Sequence, residues 1–240
     1  AYALREGLIG PGVGMLMAEP TSGRVWHACR GALTLRLSFR GRRTHIGTAH
    51  LGENAFEKMA RAACRLADLA GSLAPGETSL PISEPFSRRS PIVLGGICGS
   101  GDSANSVPGE AFFTLDARLN PELDPSDVER AVREAVPEAE VEVLVSERGH
   151  VSPEDSELAL ALSRAVEEVR GSPPRFELCP GLLEIRFYGR AGVPAYCYGP
   201  GLLEVSHGPG EYVRLSDVLE CAEVYLRTME ILAGSVTSSA

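Results

Sequence analysis

The sequence predicts an α/β protein interrupted by an inserted α+β sandwich, and three observations predict it. Residues 31–145 read in order as strand, helix, strand, strand, helix, strand, the split pattern of a ferredoxin-like (βαββαβ) fold. Residues 152–232 alternate helices with short apolar strands, as an α/β layer does. That second block is too short for a complete doubly wound domain, and the apolar run 13–17 offers another strand for the same sheet. The insertion is therefore expected at 30–148, between outer pieces 1–29 and 149–240.

Each element has its own signal. Leu33, Leu35, Leu37 and Phe39 alternate with Thr34, Arg36 and Ser38, a half-buried strand. Phe56, Met59, Ala60, Ala63, Leu66, Ala67 and Ala70 recur at helical spacing, with Gly71 as the expected stop. Runs 91–98 and 111–119 read as strands. Asp124-Pro125 opens a helix to Val136, with an N-cap followed by proline at the first helical position. Val141, Val143 and Val145 alternate in the last strand of the insertion. In the second block, Ser152-Pro153 is expected to cap a helix bearing Leu158, Leu162, Ala165 and Val169, closed at Gly171. Strands are expected around Phe176 and over 194–198. A final helix from Ser216 is expected to bury Val218, Ala222, Tyr225, Met229 and Leu232.

Composition excludes some functions. The 240 residues are 44% apolar and 23% charged, ordinary for a globular protein with a core of normal size. A net charge of −9 leaves no basic stripe to neutralise phosphates, so no nucleic-acid partner is expected. The apolar stretches are broken by charges or glycines, so no membrane span is expected, and no signal peptide is apparent. Six scattered cysteines without a CxxC pair suit free thiols in a reducing cytoplasm.

The chemistry-bearing candidates lie in loops. His45 and His50 share the loop between the first strand and helix of the insertion, where functional groups concentrate. Both also fit plain solvated loop histidines. His207 sits in a Gly/Pro-rich loop beyond a strand end, the edge at which open α/β sheets bind ligands. A neutral imidazole there suits a metal, although loop histidines are more often structural. Glu19 follows the apolar run 13–17 and could ligate a cation or cap a turn. His27 and His150 read as structural. No HExxH, serine nucleophile elbow, phosphate loop or dinucleotide fingerprint is present.

Taken in order, the short motifs carry more than any one of them. Ala18-Glu19-Pro20-Thr21, Arg30-Gly31, Thr44-His45 with His50-Leu51-Gly52-Glu53-Asn54-Ala55, Asn105-Ser106-Val107-Pro108, Asp116-Ala117-Arg118, Tyr198-Gly199-Pro200-Gly201 and His207-Gly208-Pro209-Gly210-Glu211 follow one another along the chain. This series resembles the M20 family of metallopeptidases, which includes acetylornithine deacetylase and succinyl-diaminopimelate desuccinylase. The resemblance implies a zinc-binding α/β domain interrupted by a ferredoxin-like lid that forms a homodimer. It implies hydrolysis of amide bonds in N-acyl amino acids or small peptides, with two zinc ions (or cobalt or manganese) in the complete enzyme.

By the same resemblance Glu19 and His207 match metal ligands, and His45 matches the lid histidine that reaches the partner's active site and stabilises the oxyanion. Asn105 and Arg118 match lid residues near the substrate's carboxylate, and Gly199 and Gly201 would let backbone approach the substrate. Arg186 matches a further carboxylate-binding arginine, but Gly181-Leu182-Leu183-Glu184-Ile185 replaces its usual neighbours. Ala18 stands where the family has glycine, and Gly210 where it usually has asparagine.

The family's first zinc histidine, bridging aspartate and Glu-Glu pair lie upstream of Glu19 and have no counterpart here. The chain alone is therefore expected to hold the metal pair incompletely and not to hydrolyse. Its start at Ala1 rather than methionine fits a missing first half. The competing reading is a non-catalytic dimerisation or ligand-binding module derived from the same family. The retained Glu19, His45, Asn105 and His207 favour the enzyme.

Overall fold

The computed structural model describes all residues except 1, 9–11, 207 and 238–240. The chain opens on a short helix, α1 (Tyr2–Arg5), followed by strands β1 (Met15–Met17) and β2 (Val25–Cys29). The next stretch holds β3 (Gly31–Arg40), β4 (Thr44–His45), α2 (Ala55–Leu73), β5 (Ile92–Ser100), β6 (Ser106–Val107), β7 (Glu110–Leu119), α3 (Pro125–Ala135) and β8 (Glu140–Glu147). Then come β9 (His150–Val151), α4 (Glu157–Arg170), β10 (Phe176–Cys179), α5 (Ile185–Arg190), β11 (Ala195–Cys197) and α6 (Leu215–Thr237). Two compact units result: Ala1–Cys29 with Leu80–Glu84 and His150–Ala240, and Arg30–Ser79 with Pro85–Gly149. Residues 80–84, expected inside the insertion at 30–148, group with the first unit instead. The amide of Leu178 on β10 donates to the Pro81 carbonyl at 2.8 Å.

The second unit is an antiparallel sheet in the order β5-β7-β3-β8. Its ten-residue β3 runs against β7 in unbroken register, with Leu35 opposite Leu115 and Leu37 opposite Phe113. Alternation puts Leu33, Leu35, Leu37 and Phe39 on one face, and these pack with Phe113, Leu115, Ala62, Leu66, Val128 and Val132 in one buried cluster. Asp124 caps α3 by accepting from the Ser126 amide, as its sequence signal requires. Helix α2 runs through Gly71 to Leu73 instead of stopping there. Gly71 has open space around it and takes no left-handed conformation, so nothing local ends the helix.

The first unit is a mixed sheet in the order β1-β11-β2-β10, with β9 paired to β2. Helix α4 is capped by Ser156, not Ser152: the Ser156 hydroxyl accepts from the Ala159 amide at 3.1 Å. Ser152 is bound elsewhere, donating to the Ala195 carbonyl and accepting from the Ala195 amide. Helix α6 keeps only part of its expected face. Tyr225 and Leu232 pack against the core cluster of Cys221 and Val224, and Thr228 is also buried, whereas Val218, Ala222 and Met229 are exposed. Its apolar residues occupy more than one face, so periodicity alone could not say which turns inward.

His27 and His150 are indeed packed into this unit. The His27 ring is buried and its Nδ1 donates to the Ser152 carbonyl at 3.0 Å. His150 contacts the Ser152 hydroxyl through Nε2 at 2.9 Å. Burial, then His27 and Arg190, hold the His150 pKa below its ordinary value. A folded pKa below the unfolded one means the unfolded chain takes up the proton first, so stability falls as pH drops below about 6.5. We expect the melting temperature to decline between pH 7 and 5.5, and His150→Gln to flatten that decline.

Candidate metal and substrate site

In the first unit, β1 and β11 run parallel with Met17 opposite Cys197, so their carboxyl ends lie side by side. The loops leaving those ends are hydrogen-bonded together. The Tyr198 amide donates to the Met17 carbonyl at 3.0 Å, the Thr21 amide to the Gly199 carbonyl at 3.3 Å, and the Ser22 amide to the Gly201 carbonyl at 3.1 Å. In return the Gly199 amide donates to the Thr21 hydroxyl at 3.3 Å and the Leu203 amide to the Ser22 hydroxyl at 3.1 Å. Ser22 and Gly23 turn the chain with positive φ (54° and 77°).

Glu19 is held in this double loop, partly buried. Burial raises the pKa of the Cys197 thiol, with Cys179 and then Glu19 adding to the rise, so the carboxylate acts electrostatically at the end of β11. Gly199 is required by close approach: a Cβ there would lie 2.5 Å from the Glu19 carbonyl oxygen and 2.9 Å from the Ala18 carbonyl carbon, both backbone. Gly201 has φ +100°, a conformation L side chains rarely adopt. We expect Gly199→Ala to displace the Glu19 loop and lower thermal stability by roughly 1–3 kcal/mol, measurable by denaturant unfolding. Thr21 is a site residue for which the sequence alone gives no role. Its position two residues after Glu19 was the available signal, and its burial and paired bonds to Gly199 show that it stitches the loops.

His207 lies outside the described residues, two positions beyond the short 3-10 turn Leu203–Val205. Arg186 is buried on α5, where its guanidinium donates to the Leu183 carbonyl at 2.7 Å and lies 4.0 Å from the centroid of the Phe187 ring. In this conformation the arginine is turned into its own unit and not toward open solvent.

In the second unit His45 and Asn105 come together. Strand β4 pairs with β6, setting His45 opposite Ser106, and the Ile46 amide donates to the Asn105 carbonyl at 3.0 Å. The His45 Nδ1 accepts from the Gly47 amide at 3.1 Å. That bond fixes the tautomer: a neutral ring then carries its proton on Nε2, leaving a donor on an exposed side chain. The Asn105 Oδ1 accepts from the Ser103 hydroxyl at 2.5 Å, which turns its amide NH2 to the donor role.

Arg118 is elsewhere. It pairs with Asp116 at 2.7 Å and faces Ala32 across the ladder, near the end where β3 begins. The other end of the ladder, Arg40 opposite Glu110, adjoins β6. Ten strand residues separate these ends by roughly 30 Å, so Arg118 does not share a site with His45 and Asn105 within this unit.

Among the described residues, no three of His, Cys, Asp and Glu are grouped to hold a metal ion. Glu19 alone falls short of the roughly four ligands that zinc takes, so the described donor set does not make a metal centre.

Residues 27–143 match the peptidase dimerisation domain of the M20 family. Over those residues the chain carries the M20 family's dimerisation domain. The chain is 25% identical over 98% of its length to acetylornithine deacetylase of Myxococcus xanthus, covering 61% of that protein. It is 24% identical over 89% of its length to succinyl-diaminopimelate desuccinylase of Hydrogenovibrio crunogenus (strain DSM 25203 / XCL-2), covering 56% of it. The chain thus spans little more than half of either relative. Its fold is similar to that of an M20 family metallo-carboxypeptidase from Sulfolobus solfataricus, with TM-score 0.68 and 17% identity over 91% of this chain and 61% of that one. No helix among the described residues is long and apolar enough to cross a membrane.

Proposed function

We propose that this chain is the lid-bearing part of a metal-dependent hydrolase of amide bonds in N-acyl amino acids or small peptides. The observation that carries the proposal is the hydrogen-bonded junction of the Glu19 loop with the Gly199–Gly201 loop at the carboxyl ends of two parallel strands. A carboxylate fixed there, and an imidazole a few residues further along the second loop, suit two ligands of a divalent cation, zinc in the first instance. The remaining ligands belong to the part of the relatives that this chain does not cover.

The second unit is the ferredoxin-like lid, and the enzyme is a homodimer through it. His45 Nε2–H donates to the oxyanion of the tetrahedral intermediate, and the Asn105 amide beside it holds the substrate near its carboxylate. Their position supports service to the partner subunit. They sit at the end of the sheet roughly 30 Å from the points where their own chain enters and leaves this unit. Arg118, near those crossings, recognises the substrate's carboxylate once Asp116 is displaced, through two parallel N–H donors. Arg186 does so only if it turns out of its present bonds.

The test joins this chain to the segment supplying the other ligands and assays a panel of N-acyl amino acids and dipeptides. Metal-dependent hydrolysis, abolished by chelation, is the expected result. A folded, dimeric product that hydrolyses none of them would favour the non-catalytic module.

A further inference from the structure

Both helices of the second unit, α2 and α3, pack on the sheet face that carries Leu33, Leu35, Leu37 and Phe39. Alternation therefore turns Arg36, Ser38 and Arg40 of β3 to the other face. Cross-strand register sets Phe112 of β7 opposite Ser38, and Glu142 of β8 opposite Arg36. These residues line a cavity of about 780 Å³ that lies wholly within this unit, a size ordinary for a small-molecule site. Most of the charges in its lining are already matched. Arg40 pairs with Glu110 at 2.5 Å and with Glu140 at 3.7 Å, and Arg43 pairs with Asp102 at 2.8 Å. One cation and one anion of the lining are left over, Arg36 and Glu142, neither of which makes an ion pair among the described residues.

Arg36 does not turn to Glu142 because its guanidinium lies over the Phe112 ring, 3.5 Å from the centroid. Gly99, opposite Phe112 in register, leaves room for that ring, since a Cβ there would lie 2.9 Å from it. Stacking holds the guanidinium plane and leaves its edge donors free, a fork that matches a carboxylate. Glu142 stands exposed one strand away, its Cβ about 5 Å from that of Arg36. We propose that this cavity binds a free α-amino acid, carboxylate on Arg36 and ammonium on Glu142, its side chain running past Ser38. The two charges of an α-amino acid are one carbon apart, so one small ligand neutralises both residues. An acylated nitrogen carries no charge and leaves Glu142 unmatched, so the cavity selects amino acids over their N-acyl forms. That makes the ligand a product and not a substrate, a description that rests on the metallohydrolase reading above. A phosphate ion satisfies Arg36 but is repelled by Glu142.

The experiment titrates the full 240-residue chain by calorimetry with L-amino acids of acidic, basic, aliphatic and aromatic type. The same amino acids as N-acetyl and carboxamide forms, and inorganic phosphate, serve as comparisons. Saturable binding of one amino acid per chain is expected for at least one side-chain type, with its N-acetyl and carboxamide forms weaker by roughly threefold to tenfold. Arg36→Met keeps an apolar stem over the ring but removes the fork, and should weaken binding by roughly tenfold or more. Glu142→Gln, at an exposed position, should weaken it by roughly threefold to fivefold and erase the preference over the N-acetyl form. Unchanged melting of both variants would show that they fold. Arg118→Ala, outside the cavity, should leave binding as it was. Three results would overturn the site: no amino acid bound, phosphate or N-acetyl forms bound as tightly as the free amino acid, or binding lost in Arg118→Ala and kept in Arg36→Met. Hydrolysis enters none of these readouts, so each would leave the metallohydrolase reading standing. Amino-acid binding by the chain, with no amide hydrolysed by the joined protein, would uphold the site and count against that reading.

Discussion

Replacing His45 by alanine, in this chain joined to the segment that completes the metal centre, is expected to lower kcat by about 10²–10³ while metal content stays unchanged. The expectation follows from the bond between the Gly47 amide and Nδ1, which commits the outward Nε2 to donate. A donor aimed at developing negative charge in a dry site contributes only in the transition state, so KM should move little. Loss of metal in the variant would mean that the imidazole is a ligand and not an oxyanion donor. Subunits carrying His45→Ala, mixed with subunits carrying Glu19→Ala, provide a second reading. If His45 acts in the partner's site, a mixed dimer pairs both defects in one site and leaves the other site intact, so activity partly returns.

Arg30→Ala is expected to cost the second unit about 3 kcal/mol or more. The Arg30 side chain is only 2% exposed. It donates through Nε to the Asn120 Oδ1 at 3.0 Å and through one Nη to the carbonyls of Ser87 and Arg89 at 2.5 and 3.1 Å. Asn120 in turn donates to the Arg88 carbonyl, so one guanidinium organises the approach to β5 and the exit from β7. Removing it strands the buried Asn120 Oδ1 and two part-buried carbonyls at once. Lysine should not restore the loss, because a single ammonium cannot span the three acceptors as a planar fork does. Denaturant unfolding with hydrogen exchange would place the loss in β3, β5 and β7; a change below about 0.5 kcal/mol would contradict the role.

The second unit was legible in the sequence because its signals are local and agree. Leucines alternate along β3, and Asp124-Pro125 announces α3, so each local preference points to the same fold. The α4 cap was misplaced because Ser152-Pro153 and Ser156 are both plausible starts. The choice was made by Ala195, far away in sequence, which engages the Ser152 hydroxyl. The face of α6 is legible only in part, at Tyr225 and Leu232, for a related reason. A helix apolar on several sides gives no internal clue to which stripe the core takes. Within the site, the nearness of Glu19 to Gly199 was foreseen only through motif order, while the backbone stitching by Thr21 and Ser22 depends on contacts across 178 residues of chain or more. The inward set of Arg186 was likewise beyond pattern reading, because it reflects packing against Leu183 and Phe187. The Arg118–Asp116 pair could have been read: residues two apart in a strand share a face.

The central claim is that Glu19 and His207 bind the same metal centre. Its most direct test is the metal content per chain of the joined protein, measured by elemental analysis for the wild type, Glu19→Ala and His207→Ala after equal dialysis. The account predicts that each substitution removes metal while far-UV circular dichroism stays native. Full metal retention in both variants would contradict it.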